Sequence, residues 1–190
     1  MHDPFITKSS RPSPRALGLP RLAVGVAMAL GVLWGVAPSA LAHVTLQVRS
    51  APVASYQKLV FRVPHGCSGA DTTRVRLRIP DGVVAVKPQP KPDWTLQTQT
   101  GDYAQPVRLH GNTLKAGVRE VDWSGELPDA WYDEFAVMAY LSDALQPGQK
   151  LYFPVVQECG DDAVRWIDSS GNPDADNPAP ALELTPPMPR

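Results

Sequence analysis

The chain carries no excess of charge of either sign: 18 lysines and arginines stand against 19 aspartates and glutamates in 190 residues. Without a basic surplus, and with no interleaving of basic and aromatic residues, a nucleic-acid partner is not expected. Sustained helical periodicity is lacking too, and 21 prolines work against helices, so the composition favours strands and loops. Cysteine is scarce, with only Cys67 and Cys159. No HExxH pair, glycine-rich phosphate loop or Ser-His-Asp order is found, which removes the usual motif grounds for a hydrolase or a nucleotide enzyme. No internal repeat is visible.

One apolar run does exist, and its position is informative. Leu22 to Val36 reads LAVGVAMALGVLWGV. It spans about 15 residues, short of the roughly 20 that a membrane-spanning helix needs. Lys8, Arg11, Arg15 and Arg21 precede it, and APSALA follows, with Ala40 and Ala42 at the A-x-A positions of a signal-peptidase site. Residues 1–42 are therefore expected to be a signal peptide cleaved after Ala42, which would place the remainder in the periplasm. An uncleaved N-terminal anchor is the alternative. The leader holds four basic residues and one acidic residue, so residues 43–190 are formally four units negative and of single-domain size. In an oxidising compartment two cysteines most often pair. Closing a loop of about 90 residues would contribute about 4.6 kcal/mol in the chain-entropy model. The rival for Cys67 and Cys159 is a pair of thiolate metal ligands.

After His43 the pattern is strand after strand. HVTLQVR alternates, with Val44, Leu46 and Val48 on one face. YQKLVFRV does the same with Leu59, Phe61 and Val63, and TRVRLRI sets Val75, Leu77 and Ile79 against Arg74, Arg76 and Arg78. That last segment predicts a half-buried strand with a solvated basic face. EFAVMAYL and KLYFPVVQEC are the most apolar runs and are predicted to be central strands. AVRWID predicts a further strand, and the proline-rich tail a loop with a short last strand at 181–184. Nine or ten short strands with turns between them predict an all-β fold, an antiparallel immunoglobulin-like or cupredoxin-like β-sandwich.

The chemistry gathers at His43. If Ala42 is removed, His43 carries a free α-amine, whose ordinary pKa of about 7.7–8.0 makes its deprotonation at neutral pH inexpensive. That amine and the Nδ1 of the same residue can chelate one metal ion, and Cu(II) prefers tetragonal nitrogen and oxygen sites. Within an uncut chain His43 offers a single imidazole, which reads as a polar surface residue. Further ligand candidates are His65 in VPHGC, His110 in RLHG, Glu134 in YDEF, Gln57 and loop carboxylates.

HVTL directly after the signal, RVP, TTRVRLRIPDGV, KPDWTL, VRWID and DADNPAP, in this order, resemble the YcnI-like domain family of exported bacterial copper-binding proteins. PHGC, YDEFAVMAYL and YFPVVQEC resemble its proteobacterial branch. The resemblance covers residues 43–184, leaving 185–190 as a tail. It implies a β-sandwich with a mononuclear Cu(II) site on the N-terminal histidine, here His43. It also implies a tryptophan close to the metal, which falls on Trp166; by pattern alone Trp166 is a core aromatic. The family's glutamate does not carry over, because His65 and Gly66 stand after VP. His65 and, after it, Glu134 are the candidates for the third protein ligand.

A periplasmic copper carrier without enzymatic activity is the function this implies, with a chaperone of the PCuAC type or a membrane copper transporter as partner. A copper-dependent oxidative enzyme would need a second histidine in the metal plane and a flat aromatic surface. A metal-free interaction module is the third alternative, since sandwiches of this kind host many functions.

Overall fold

The computed structural model describes residues 43–189; the expected signal peptide and Arg190 lie outside the described residues. Twelve strands and no helix make up the described residues, and none of them forms a helix able to cross a membrane. In chain order they are β1 (Thr45–Leu46), β2 (Ser50–Pro52), β3 (Ser55–Val63), β4 (Thr72–Arg78), β5 (Val83–Pro88) and β6 (Thr95–Leu109), followed by β7 (Asn112–Leu127), β8 (Asp133–Leu141), β9 (Lys150–Tyr152), β10 (Val155–Cys159), β11 (Asp162–Trp166) and β12 (Ala181–Thr185).

The strands form a four-stranded sheet, β1-β3-β8-β5, a five-stranded sheet, β11-β10-β4-β7-β6, and a three-stranded sheet, β2-β12-β9. Strand alternation explains the layering. Leu59, Phe61 and Val63 of β3 and Phe135, Val137 and Ala139 of β8 point into one core with Val75 and Leu77 of β4 and Val121 and Trp123 of β7. Trp123 meets Phe135 at 5.4 Å between ring centroids, so the two larger sheets face each other through aromatic packing. The third sheet adds Ala51, Leu182 and Leu184 to the same core. This is the expected all-β sandwich, with one parallel pairing, β2 with β12, among antiparallel ones.

Two local expectations change. KLYFPVVQEC is two strands in different sheets, because Pro154 interrupts the run after Phe153. The arginine row on β4 is less solvated than its pattern predicts: Arg74 engages Asp122, and Arg76 lies 2.7 Å from Glu158. The hydrogen bond to Asp122 holds the Arg74 guanidinium above its already high value, against the opposing effect of desolvation. The long strand β6 runs without a break from Thr95 to Leu109, and its register shifts between Gln99 and Thr100 and again between Asp102 and Val107. Such bulges bend a ribbon, and the far end of the β6–β7 hairpin packs Val107, Leu109 and Tyr103 with Val84 and Tyr140 in a second apolar cluster. Its turn places His110 at φ 50° and Gly111 at φ 83°, the left-handed pair that tight hairpins use.

Candidate metal centre

β1 is short, and its register fixes where His43 emerges. Thr45 pairs with Arg62 and Leu46 with Phe61, and the Gln47 amide donates to the Val60 carbonyl at 2.9 Å. Val44 and Leu46 turn into the core while Thr45 faces out. His43 therefore leaves the edge of the four-stranded sheet next to the Val63 end of β3. It lines an open cavity of about 410 Å³ with Arg49, Arg62 and the stretch Pro178–Ala181.

The far wall of this cavity is tied to β11. The Asp168 amide donates to the Asn177 carbonyl at 3.1 Å, and the Ala179 amide donates to the Asp168 carbonyl at 2.7 Å. Asp168 also accepts from the Ser170 amide at 2.7 Å. Hydrogen bonding from Ser170 pulls the Asp168 carboxyl below the usual carboxylate value. Trp166, two residues earlier, turns inward and is only 4% exposed. Its ring lies 5.5 Å from the His43 ring at an interplanar angle of 60°. The His43 Nε2 is buried and has no hydrogen-bond partner among the described residues. The geometry thus joins the two residues that the sequence singled out at opposite ends of the domain.

His65 is held by its surroundings on both its ring and its main chain. Its Nδ1 lies 2.6 Å from the Gly66 carbonyl. A carbonyl only accepts, so Nδ1 carries a proton, and in the neutral ring the lone pair is then on Nε2. The His65 carbonyl accepts from Gln157 Nε2 at 2.7 Å, and Gln157 Oε1 accepts from the Trp166 indole at 3.1 Å. His43, Trp166, Gln157 and His65 consequently form one connected set.

Glu134 lies across β3 from β1, paired in register with Arg62 and bridged to it at 3.0 Å. Arg62 also lies over the Tyr132 ring, 6.0 Å from its centroid. Among the described residues, no three His, Cys, Asp or Glu side chains converge closely enough to hold a metal ion. His43, His65 and Glu134 are thus near one edge of the sandwich without being assembled as a three-side-chain cluster. His110 stands elsewhere, stacked on Tyr56 at the opposite end of β3, and Gln57 donates to Ser55 at 2.8 Å. Cys67 and Cys159 are bonded to each other. Trp123 is core, and Trp131 is 66% exposed.

Gln157 escaped the sequence reading. Its signal was there: in VVQEC it shares the inward face with Val155 and Cys159, and a long polar side chain at a core position requires partners.

A solved structure described as "Crystal structure of an uncharacterized protein from Nocardia farcinica reveals an immunoglobulin-like fold" superposes with a TM-score of 0.55 at 22% identity, covering 75% of this chain and 98% of that one. At that identity the likeness concerns the fold. No curated protein matches the chain. Residues 43–184 match the model of the Domain of unknown function (DUF1775), so the chain belongs to this family, that of the YcnI-like domains.

Proposed function

We propose that the chain is a periplasmic copper-binding protein of copper homeostasis, a carrier that holds Cu(II) on His43 once residues 1–42 are removed. The observation that carries this is the position of His43. It precedes the first strand at an open cavity, its ring against Trp166 and one ring nitrogen buried with no partner among the described residues. In the uncut chain the His43 nitrogen is an amide. Cleavage after Ala42 turns it into an amine, and the amine with Nδ1 closes a six-membered chelate that suits a tetragonal ion.

His65 is the preferred third ligand. The hydrogen bond from its Nδ1 leaves Nε2 as the metal-binding nitrogen, the arrangement in which ligating histidines usually occur. Glu134 is the second candidate and would have to leave Arg62, an exposed pair worth no more than about 1 kcal/mol. Trp166 shields one side and limits access to the metal. Few protein ligands and an open cavity suit cargo that must be passed on, to a periplasmic chaperone of the PCuAC type or a membrane copper transporter.

The test is a Cu(II) titration followed by EPR on the chain that starts at His43. The same chain with one residue added ahead of His43, and the His43→Ala variant, serve as comparisons. Tight binding lost in both is the expected result. Equal affinity and equal spectra for the extended chain would remove the amine, and with it the proposed site.

A further inference from the structure

We infer that Gln157 is the positioning residue of the His43 site: it anchors the Trp166 indole against the His43 ring and holds the segment carrying His65 to the same point. The functional consequence rests on the copper reading above. The geometry itself needs no metal.

Gln157 lies on β10 and is 1% exposed. Its neighbours on the same face are Val155 and Cys159, so packing alone would favour an apolar residue. Instead the amide meets three polar groups. Nε2 donates to the His65 carbonyl at 2.7 Å and to Thr72 Oγ1 at 2.8 Å, and Oε1 accepts from Trp166 Nε1 at 3.1 Å. An indole only donates and a carbonyl only accepts, so this network settles which amide atom faces which group. The combination asks for a side chain of this length with a donor and an acceptor at one end. An ionised glutamate would still accept from the indole but would set a negative oxygen against the His65 carbonyl. A leucine would strand the indole N–H and the His65 carbonyl and would take from the Thr72 oxygen the donor it accepts from, which is costly in a buried place.

Trp166 ends β11, and its only polar side-chain atom is the one Gln157 binds. Val155 pairs with Trp166 and Gln157 with Val164, so the anchor reaches the indole from the neighbouring strand. With the N–H released, the ring loses the contact that orients it over His43, and the buried Nε2 of His43 becomes open to water. Partners that orient a metal site from behind the ligands commonly change metal affinity by about 10- to 100-fold.

The experiment combines a metal-free readout with a copper readout. Two-dimensional NMR of the full chain follows the Trp166 indole N–H and the His43 ring protons, which feel the indole ring current. Gln157→Leu is expected to shift both, and Trp166→Phe to shift the His43 ring protons. On the chain that starts at His43, each variant is expected to bind Cu(II) about 10- to 100-fold more weakly. In the double variant the His43 ring protons are expected to lie where Trp166→Phe alone puts them, because Gln157 reaches the His43 ring through Trp166. Gln157→Glu, which keeps the indole acceptor, is expected to recover the native His43 ring shifts. A folded Gln157→Leu chain with native indole and His43 resonances would overturn the inference, as would additive His43 ring shifts in the double variant. Should Gln157→Leu fail to fold, native copper affinity and EPR parameters in Trp166→Phe would overturn it equally. If the unsubstituted chain binds no copper, the proposed function falls, and the metal-free spectra still decide the role of Gln157.

Discussion

Cys67 and Cys159 are joined two residues beyond His65 and Gln157, so the disulfide and the Gln157–His65 hydrogen bond clamp the same two segments. One segment leads out of β3 with His65. The other is the end of β10, which holds the anchor of Trp166. Thr72, which shares the Gln157 amide, also lies 3.8 Å from Cys159 Sγ. A covalent bond between the end of one strand and the loop beyond another therefore supports the wall of the candidate metal centre without contributing a ligand.

Removing that bond by the double change Cys67→Ala and Cys159→Ala is expected to cost about 2–5 kcal/mol, measured as a lower denaturant midpoint with a slope that rises because the uncross-linked unfolded chain exposes more surface. Copper binding to the chain that starts at His43 is expected to weaken and to persist. Its complete loss in a folded double variant would mean that the sulfurs act at the metal after all.

Two tryptophans that pattern alone leaves undistinguished are expected to differ sharply. Trp123 is fully buried, packs on Phe135, and donates to the Gln89 carbonyl at 3.2 Å. Trp123→Ala is expected to cost about 3–5 kcal/mol, a large part of the stability of a domain this size. Trp131 stands on the surface, and Trp131→Ala is expected to change stability by no more than about 0.5 kcal/mol. Urea unfolding of both variants checks the contrast.

The alternation of β3, β4 and β8 was legible because each has one face in the core, and a period of two follows from that directly. The split between β9 and β10 was harder to read, since both halves of the run are apolar and only Pro154 marks the change of sheet. The path of β6 and β7 depends on bulges, which leave no mark on hydrophobic pattern. At the site, His43 was visible through the A-x-A pattern of the expected cleavage site in front of it, and Trp166 only through family resemblance, because a buried tryptophan on a strand looks like any other. The contact between them is a matter of tertiary placement: β1 and β11 lie at edges of different sheets. The ion pairs of Arg62 with Glu134 and of Arg74 with Asp122 likewise arise from cross-strand register, which a single sequence does not reveal.

Acid is expected to loosen the wall of the cavity through Asp168. Hydrogen bonding from Ser170 lowers the Asp168 pKa in the folded chain. A carboxyl lowered on folding adds stability that is present above its unfolded value, about 3.9, and is lost as pH falls through the lower folded value. Asp168→Asn is expected to remove this dependence while leaving the main-chain bonds to Asn177 and Ala179. Hydrogen exchange of the Ser170 amide against pH is the measurement. An acid-sensitive amide that is unchanged in Asp168→Asn would assign the effect to another group.

His65 and Glu134 are separated by a comparison of variants in the chain that starts at His43. Both are within the part of the sandwich where His43 emerges, but their hydrogen bonding differs. His65 has its Nδ1 proton committed to Gly66, which presents Nε2 as a ready nitrogen ligand. Glu134 is engaged by Arg62 through both Nε and Nη2, at 3.2 and 3.0 Å, and would exchange that partner for the metal. His65→Gln is therefore expected to weaken Cu(II) binding and to remove one nitrogen from the EPR superhyperfine pattern. Glu134→Gln is expected to leave the spectrum unchanged and to lower stability by at most about 1 kcal/mol, the worth of an exposed ion pair. If the glutamate change alters the spectrum and the histidine change does not, Glu134 is the third ligand, and Arg62 becomes the group that must move aside before copper can be held.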